Sequence, residues 1–171
     1  MSVYDIVISG GRVIDPESGL DSIRNVAISD GKIIELSENP LAAEETIEAT
    51  GQVVSPGFID LHCHPQDTDI FTVQAQDGVT TTLELEVGTG DINSFYNKWK
   101  GQSTINYGAS IGHIPVRMKV MNDPGVFLPS GDAGRKLANN TEILAMQNLI
   151  RVGLEKGALA VGFGLDYTRG A

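Results

Sequence analysis

Apolar residues recur along this chain in two different patterns, and the change near position 56 divides it. Before that point the apolar runs are short, β-branched and closed by turn residues. Asp5-Ile6-Val7-Ile8 and Arg12-Val13-Ile14 are separated by Gly10-Gly11 and ended by Asp15-Pro16, a pattern that predicts short antiparallel strands. Residues 25–29 and 32–36 flank Asp30-Gly31, and a glycine there admits the positive φ of a two-residue hairpin turn. Residues 46–49 and 52–54 read as one more strand pair, or as a single strand bent near Gly51. Residues 1–54 are thus expected to form a small β-sandwich portion, too short to close a sandwich of its own.

After Pro56 the grammar changes. Strands are predicted over 58–62, 78–87, 105–112 and 158–164, with helical stretches between the later ones. Ile143, Leu144, Met146, Leu149, Ile150 and Leu154 make one apolar stripe on a helix over about 141–156, with Asn140 as N-cap and Gly157 as terminator. A shorter helix is predicted over 92–99. Residues 115–139, rich in Pro and Gly, read as a long excursion from a strand end that shapes a pocket. Strands alternating with helices imply parallel βαβ units, so residues 55–171 are expected to form an α/β domain.

Composition narrows the chemistry. With 171 residues, 41% hydrophobic and 20% charged, the chain reads as globular. Its net charge of -10 repels phosphate backbones and anionic lipid, so neither nucleic acid nor a membrane is expected as a partner. The start lacks a basic segment followed by an apolar one, and no run is long enough to span a bilayer, so a cytoplasmic location is expected. Cys63 is the single cysteine. An internal disulfide and a cysteine cluster for zinc are therefore excluded, and any metal must be held by histidine and carboxylate.

The segment that carries chemistry is Pro56-Gly57-Phe58-Ile59-Asp60-Leu61-His62-Cys63-His64. Strand alternation points Asp60, His62 and His64 to one face, where two imidazoles reach one cation at the strand's C-terminal end. Neutral imidazole suits zinc, iron or manganese, and Asp60 is placed to orient a ring through its other nitrogen. By itself the pair is weak evidence, since the same spacing occurs on exposed strands that bind nothing. The next strand offers Glu84 and Glu86 on one face among Leu83, Leu85 and Val87. Two carboxylates in an apolar strand ask for a cation, and Glu86, nearer the strand's end, is the expected ligand. The alternative is that this strand faces the other way, with both glutamates among covering helices or in salt bridges. His113 and Arg117, at and beyond the third strand, suit the carboxylate of a substrate, or else are a satisfied loop histidine and a surface ion pair. Tyr167 and Arg169, past the fourth strand, pose the same choice. Cys63 alternates away from the histidines and is expected to be a small core residue.

The stretch from Pro56 to His64 resembles the first barrel strand of the amidohydrolase superfamily, which runs Pro-Gly-hydrophobic-hydrophobic-Asp-x-His-x-His. Within it the chain looks most like the N-acyl-D-amino-acid deacylases, through Gly78-Val79-Thr80-Thr81, through the run from Gly112 to Arg117, and through the run from Gly157 to Tyr167. The resemblance implies a small β-sandwich beside a (β/α)8 TIM barrel, of which this chain supplies the first half, strands one to four. It also implies that His62 and His64 bind a divalent metal, zinc being expected first. Glu86 joins them as a metal ligand, and His113, Arg117 and Tyr167 become candidate substrate-binding residues.

Two departures bear on function. Deacylases of this group often carry a cysteine ligand near the second strand, and none stands there in this sequence. The carboxylated lysine of dihydroorotases and hydantoinases has no counterpart in 158–164, which disfavours a cyclic amidase. The implied reaction is hydrolysis of a linear amide, of an N-acyl-D-amino acid, by metal-activated water. The base and the later ligands fall on strands not found in these 171 residues, so no catalytic residue is named and the chain is expected to be the inactive front portion of a longer hydrolase. Open strand edges predict a homo-oligomer or another form of self-association. A non-catalytic scaffold that kept the fold is the remaining reading.

Overall fold

A computed structural model describes residues 3–168. The chain divides into two compact units, Met1–Pro56 and Gly57–Ala171, and together they give a mixed α/β architecture.

The first unit is a single five-stranded sheet made of β1 (Tyr4–Asp15), β2 (Leu20–Ser29), β3 (Lys32–Ser37), β4 (Ala43–Glu48) and β5 (Val53–Val54). The strand order is β3-β2-β1-β4, with β5 also on β1. Asp30 and Gly31 adopt φ of 51° and 69°, so the hairpin between β2 and β3 turns where the sequence predicts, with Ser29 opposite Lys32. Two expectations are corrected. The segments on either side of Gly10-Gly11 are one strand, because the extra residue is absorbed as a bulge between Ile8 and Gly11 and the Asn25 carboxamide oxygen accepts the Gly10 N–H at 3.0 Å. Nor is the sheet all antiparallel. β4 and β5 both pair parallel with β1, at Tyr4 to Ser9 and at Arg12 to Val13 respectively, so of the two readings offered for 46–54 the strand interrupted near Gly51 is the one observed.

Val7, Val13, Val26 and Ala27 are buried, whereas Ile33, Ile34, Leu36 and Val53 are exposed. A cavity of about 310 Å³ lined by Ile8, Val26, Ile28, Ile33 and Leu36 opens among apolar side chains of this unit.

The second unit alternates strand and helix as predicted: β6 (Phe58–Asp60), α1 (Asp69–Gln76), β7 (Val79–Thr89), α2 (Ile92–Trp99), β8 (Asn106–Gly112), α3 (His113–Val120), α4 (Asn140–Glu155) and β9 (Val161–Gly162). The four strands pair in chain order, all parallel, and so their C-terminal ends collect at one edge of the sheet. Ile92, Ala109, Ile111, Val116 and Met146 form the core, with Leu149 and Ile150 packed against it. Of the stripe read on α4, Met146, Leu149 and Ile150 seat the helix, while Ile143, Leu144 and Leu154 are exposed, so the buried face is narrower than the stripe.

Where helices were missed, the reason is local. α1 carries little apolar periodicity, with only Phe71 and Gln74 buried. α3 begins at His113 and contains Pro115, which discouraged a helix reading of 115–139. A proline in the first turn removes only an N–H that has no partner inside the helix. α4 is capped one residue earlier than expected: the Asn139 side chain accepts the Glu142 N–H at 3.0 Å and the Glu142 carboxylate accepts the Asn139 N–H at 2.8 Å, a reciprocal capping box. Strands 1 and 4 are shorter than predicted, ending at Asp60 and Gly162.

Asn139→Ala removes one arm of that box and is expected to lower stability by about 1 kcal/mol. Lys136→Ala, which breaks the exposed ion pair with Asp132 at 2.7 Å, is expected to cost less than about 0.5 kcal/mol. Urea titration of the two variants should rank them in that order.

Candidate metal centre

The regular part of β6 stops at Asp60, yet the chain keeps its hold on β7 beyond it. His62 bridges to Glu84, and the Cys63 N–H donates to the Leu83 carbonyl at 3.1 Å. This carries His62 and His64 across the C-terminal end of β7. On β7 itself the pairing with β8 slips between Glu84 and Thr89. Gly88, at φ 69°, lies inside that irregularity, against Ser110, where a Cβ would collide with the Ser110 side chain. A bulge at a strand end re-aims the side chains next to it, and here the displaced residues include Glu86.

The outcome is a convergence. His62 Nε2 lies 3.2 Å and His64 Nε2 3.4 Å from the same Glu86 Oε2, and one ligand atom from each of the three residues lies within 4.8 Å of the others. The two rings meet edge to face, 5.1 Å between centroids. On its other side His64 Nδ1 is 2.5 Å from Glu84 Oε2. Glu84 is only 6% exposed, and its second oxygen accepts the Gly88 N–H at 3.1 Å. A carboxylate at that position is placed to accept Nδ1–H, and in that tautomer the neutral ring has its Nε2 lone pair facing Glu86. A neutral ring so placed turns a lone pair toward a carboxylate oxygen, a donor set able to hold a cation, whereas a protonated ring would donate its Nε2–H to Glu86. Two nitrogens and one oxygen of intermediate softness fit zinc or a similar divalent ion.

The carboxylate that orients a ring is thus Glu84, which sequence reasoning placed on the right face without a role, and not Asp60. Asp60 takes the His62 main-chain N–H at 3.0 Å and the Gln74 side-chain amide at 2.9 Å. Cys63 is buried, as expected.

The other singled-out residues are placed as follows. His113 is the first residue of α3, not a loop residue. Its ring stacks on Phe163 at 5.4 Å, its Nδ1 is buried without a partner, and burial, with Arg117 nearby, lowers its pKa. Arg117 is 2% exposed, and its guanidinium donates to the main-chain carbonyls of Ala133, at 2.6 Å, and Lys136. In place of a surface ion pair or an open cation for a substrate carboxylate, the structure shows a side chain that pins the loop after α3. Tyr167 sits in a 3₁₀ turn, Leu165–Tyr167, partly exposed. Arg169 lies outside the described residues.

Sequence reasoning missed the loop after α3 as a built object. The Asp123 carboxylate accepts four main-chain N–H groups, from Gly125, Ser130 and Gly131 at 2.9 Å and Ala133 at 3.0 Å. Desolvation pushes its pKa up, but these four bonds outweigh it and hold the group below the ordinary carboxylate value. Phe127, in the same loop, lies edge-on to the His64 ring at 5.4 Å. Asp123 followed by Pro124-Gly125 was the available signal.

Comparison with known proteins gives the fold. No protein-family model matches the chain. The structure superposes on N-acyl-D-glutamate deacylase from Bordetella bronchiseptica, solved with zinc and a phosphonate inhibitor, with a TM-score of 0.82 at 24% identity. It superposes on a D-aminoacylase described as defining a subset of amidohydrolases with a TM-score of 0.80 at 24% identity. The chain has the amidohydrolase fold. These matches cover 99% and 98% of this chain but 40% of each of the two neighbours. In sequence, a dihydroorotase from Streptococcus pneumoniae serotype 4 is 52% identical over 60 residues, 34% of this chain and 14% of that enzyme. No helix among the described residues is long and apolar enough to cross a membrane.

For this amidohydrolase-fold chain, zinc titration against a chromophoric chelator should show His62→Ala, His64→Ala and Glu86→Ala each losing the tight site. Glu84→Gln should weaken binding by roughly 10- to 100-fold, the usual cost of disturbing a ligand's supporting hydrogen bond, and Asp60→Asn should weaken it less than Glu84→Gln does. His113 gives a pH dependence. Its folded pKa is depressed below the ordinary histidine value of 6.5, so its contribution to stability is complete above that value. It is lost as pH falls from there through the lower folded pKa, because the unfolded chain takes up the proton first. Denaturation midpoints across that window should fall less steeply in His113→Gln than in the native sequence.

Proposed function

We propose that this chain supplies the front portion of a metal-dependent amidohydrolase that cleaves a linear amide C–N bond, with N-acyl-D-amino acids as substrates. In this reading residues 1–54 are a β-sandwich portion and residues 55–171 the first half of a (β/α)8 barrel. The supporting observation is the convergence of His62 Nε2 and His64 Nε2 on Glu86 Oε2 at the C-terminal edge of a parallel sheet, where barrel enzymes carry their chemistry.

A divalent cation held by these three residues, with zinc as the ion expected first, supplies polarisation of the amide carbonyl and activation of water. The chain's own residues set up that chemistry. Glu84 holds the His64 ring with Nε2 outward. Asp60, through the His62 main chain and Gln74, fixes the turn that delivers His62. His113 and Tyr167 are retained as substrate contacts. Arg117 is assigned to the loop it pins. A small N-acyl amino acid is the proposed partner, in a homo-oligomer and in the cytoplasm, with neither nucleic acid nor membrane bound.

The local identity to a dihydroorotase favours a second reading, a cyclic amidase. Against it, the chain has no lysine from Gly157 to Gly164, where that group carries its metal-bridging carboxylated lysine.

The discriminating assay uses the intact hydrolase, offered N-acetyl-D-amino acids, their L-enantiomers and dihydroorotate. Turnover of the D-compounds, reduced by roughly 100-fold or more in His64→Ala, a loss of the size that follows removal of a group organising the reacting centre, is the expected result. Turnover of dihydroorotate alone would establish the cyclic amidase, and turnover of none would leave a scaffold.

A further inference from the structure

The two histidines of the metal centre are held in different ways. The His64 ring is gripped directly, Nδ1 against Glu84 Oε2 at 2.5 Å. The His62 side chain is 64% exposed, and its ring meets Glu86 at 3.2 Å and the His64 ring, both members of the centre itself. Its main chain is fixed from two sides instead. One is the bridge to Glu84. On the other, the His62 N–H donates to Asp60 Oδ1 at 3.0 Å, and Asp60 Oδ2 accepts from the Gln74 carboxamide at 2.9 Å.

Gln74 is out of place as a packing residue. α1 buries only Phe71 and Gln74, and a helix with so little apolar surface is seated better by an apolar side chain than by a carboxamide. The carboxamide is also only half used: among the described residues, its Oε1 is buried with no partner. On the neighbouring strand Thr82, the register partner of Asp60, is 2% exposed, and its hydroxyl lacks a partner as well. Each unpaired buried polar atom costs stability, and such a cost in a folded protein asks for a task that offsets it. The bond that Gln74 does make is the one on Asp60.

We propose that Gln74 is a positioning residue for the metal centre: from α1, through Asp60, it sets the main-chain turn that presents His62 to the cation. The proposal rests on the metal reading of His62, His64 and Glu86. Without the Gln74 amide, Asp60 Oδ2 loses its partner, the carboxylate turns toward water, and the His62 N–H is released with the exposed ring it carries.

The test reads metal affinity and stability side by side. Gln74→Leu, which seats α1 with an apolar side chain, should leave the urea midpoint unchanged or higher. It should weaken zinc, titrated against a chromophoric chelator, by about tenfold, the low end of the usual effect of a ligand's supporting hydrogen bonds. With cobalt(II) in place of zinc, the visible absorption of the bound ion should change in the same variant, because the His62 donor has moved. Asp60→Asn combined with Gln74→Glu reverses the contact, a carboxamide now donating to a carboxylate, and keeps an oxygen for the His62 N–H. The pair should recover most of the affinity that Gln74→Glu alone loses. Thr82→Val, on the same face but outside the chain of bonds, should bind zinc as the native sequence does.

A Gln74→Leu variant that loses stability and binds zinc as before makes Gln74 a packing residue and overturns the proposal, as does equal weakening by Thr82→Val. If Gln74→Leu fails to fold by circular dichroism, the paired variant decides: recovery upholds the positioning role and its absence overturns it. A native chain that binds neither ion overturns the metal reading itself, a result distinct from a native chain that binds while Gln74→Leu binds equally well.

Discussion

A carboxylate at 6% exposure inside a parallel sheet is tolerated only when its oxygens are engaged, because an unpaired buried charge costs several kcal/mol. Glu84 meets that condition twice. One oxygen takes the His64 ring and the other takes the Gly88 N–H, so a single side chain couples the irregular end of β7 to the segment that follows β6. The positions of the two histidines depend on this. β6 has stopped pairing as a regular strand by His62, and what aligns the residues beyond it is the bridge to Glu84, the Cys63 bond to Leu83 and the Glu84 carboxylate.

The same coupling explains why the strand is bulged where it is. A regular β7 would keep its alternation and its pairing with β8 to the end. The slip between Glu84 and Thr89 instead frees a main-chain N–H at Gly88 for Glu84 and lets Glu86 meet both imidazoles. Ser110 fills the gap from the neighbouring strand, its hydroxyl 3.0 Å from the Leu85 carbonyl. Close approach at this edge continues in the third strand, where a Cβ on Gly112 would collide with the Val87 carbonyl. Small residues at the strand ends thus let main chain pack against main chain beside a group of charged side chains, and the apolar cluster of Ile92, Ala109, Ile111, Val116 and Met146 backs the sheet from the helix side.

Much of this was legible in the residues, for identifiable reasons. The Asp30-Gly31 hairpin, the existence of α4 and the strand-helix alternation are signals carried by residues near one another in sequence, although only Met146, Leu149 and Ile150 of the α4 stripe reach the core. The convergence of His62, His64 and Glu86 was legible because their spacing puts them near the C-terminal ends of adjacent strands. What was not legible depends on partners distant in sequence. Parallel pairing of β4 and β5 with β1 is a choice among strands of similar composition. The exchange of roles between Asp60 and Glu84 turns on a strand that ends two residues before His62. Arg117 read as a cation for a ligand because nothing local shows that Ala133 and Lys136 fold back over it. Pro115 hid α3 because a proline's cost depends on which turn of the helix it occupies.

The Asp123 knot has a consequence for descent. Its four hydrogen bonds use main-chain N–H groups, so the loop's shape needs no side-chain hydrogen bond at its tip, although Gly125 must stay small because a Cβ there would collide with the Leu128 carbonyl. Val126, fully exposed, is free to vary while the frame persists, whereas Leu128 packs against Val87, Ile114, Met118 and Ala133 and is not.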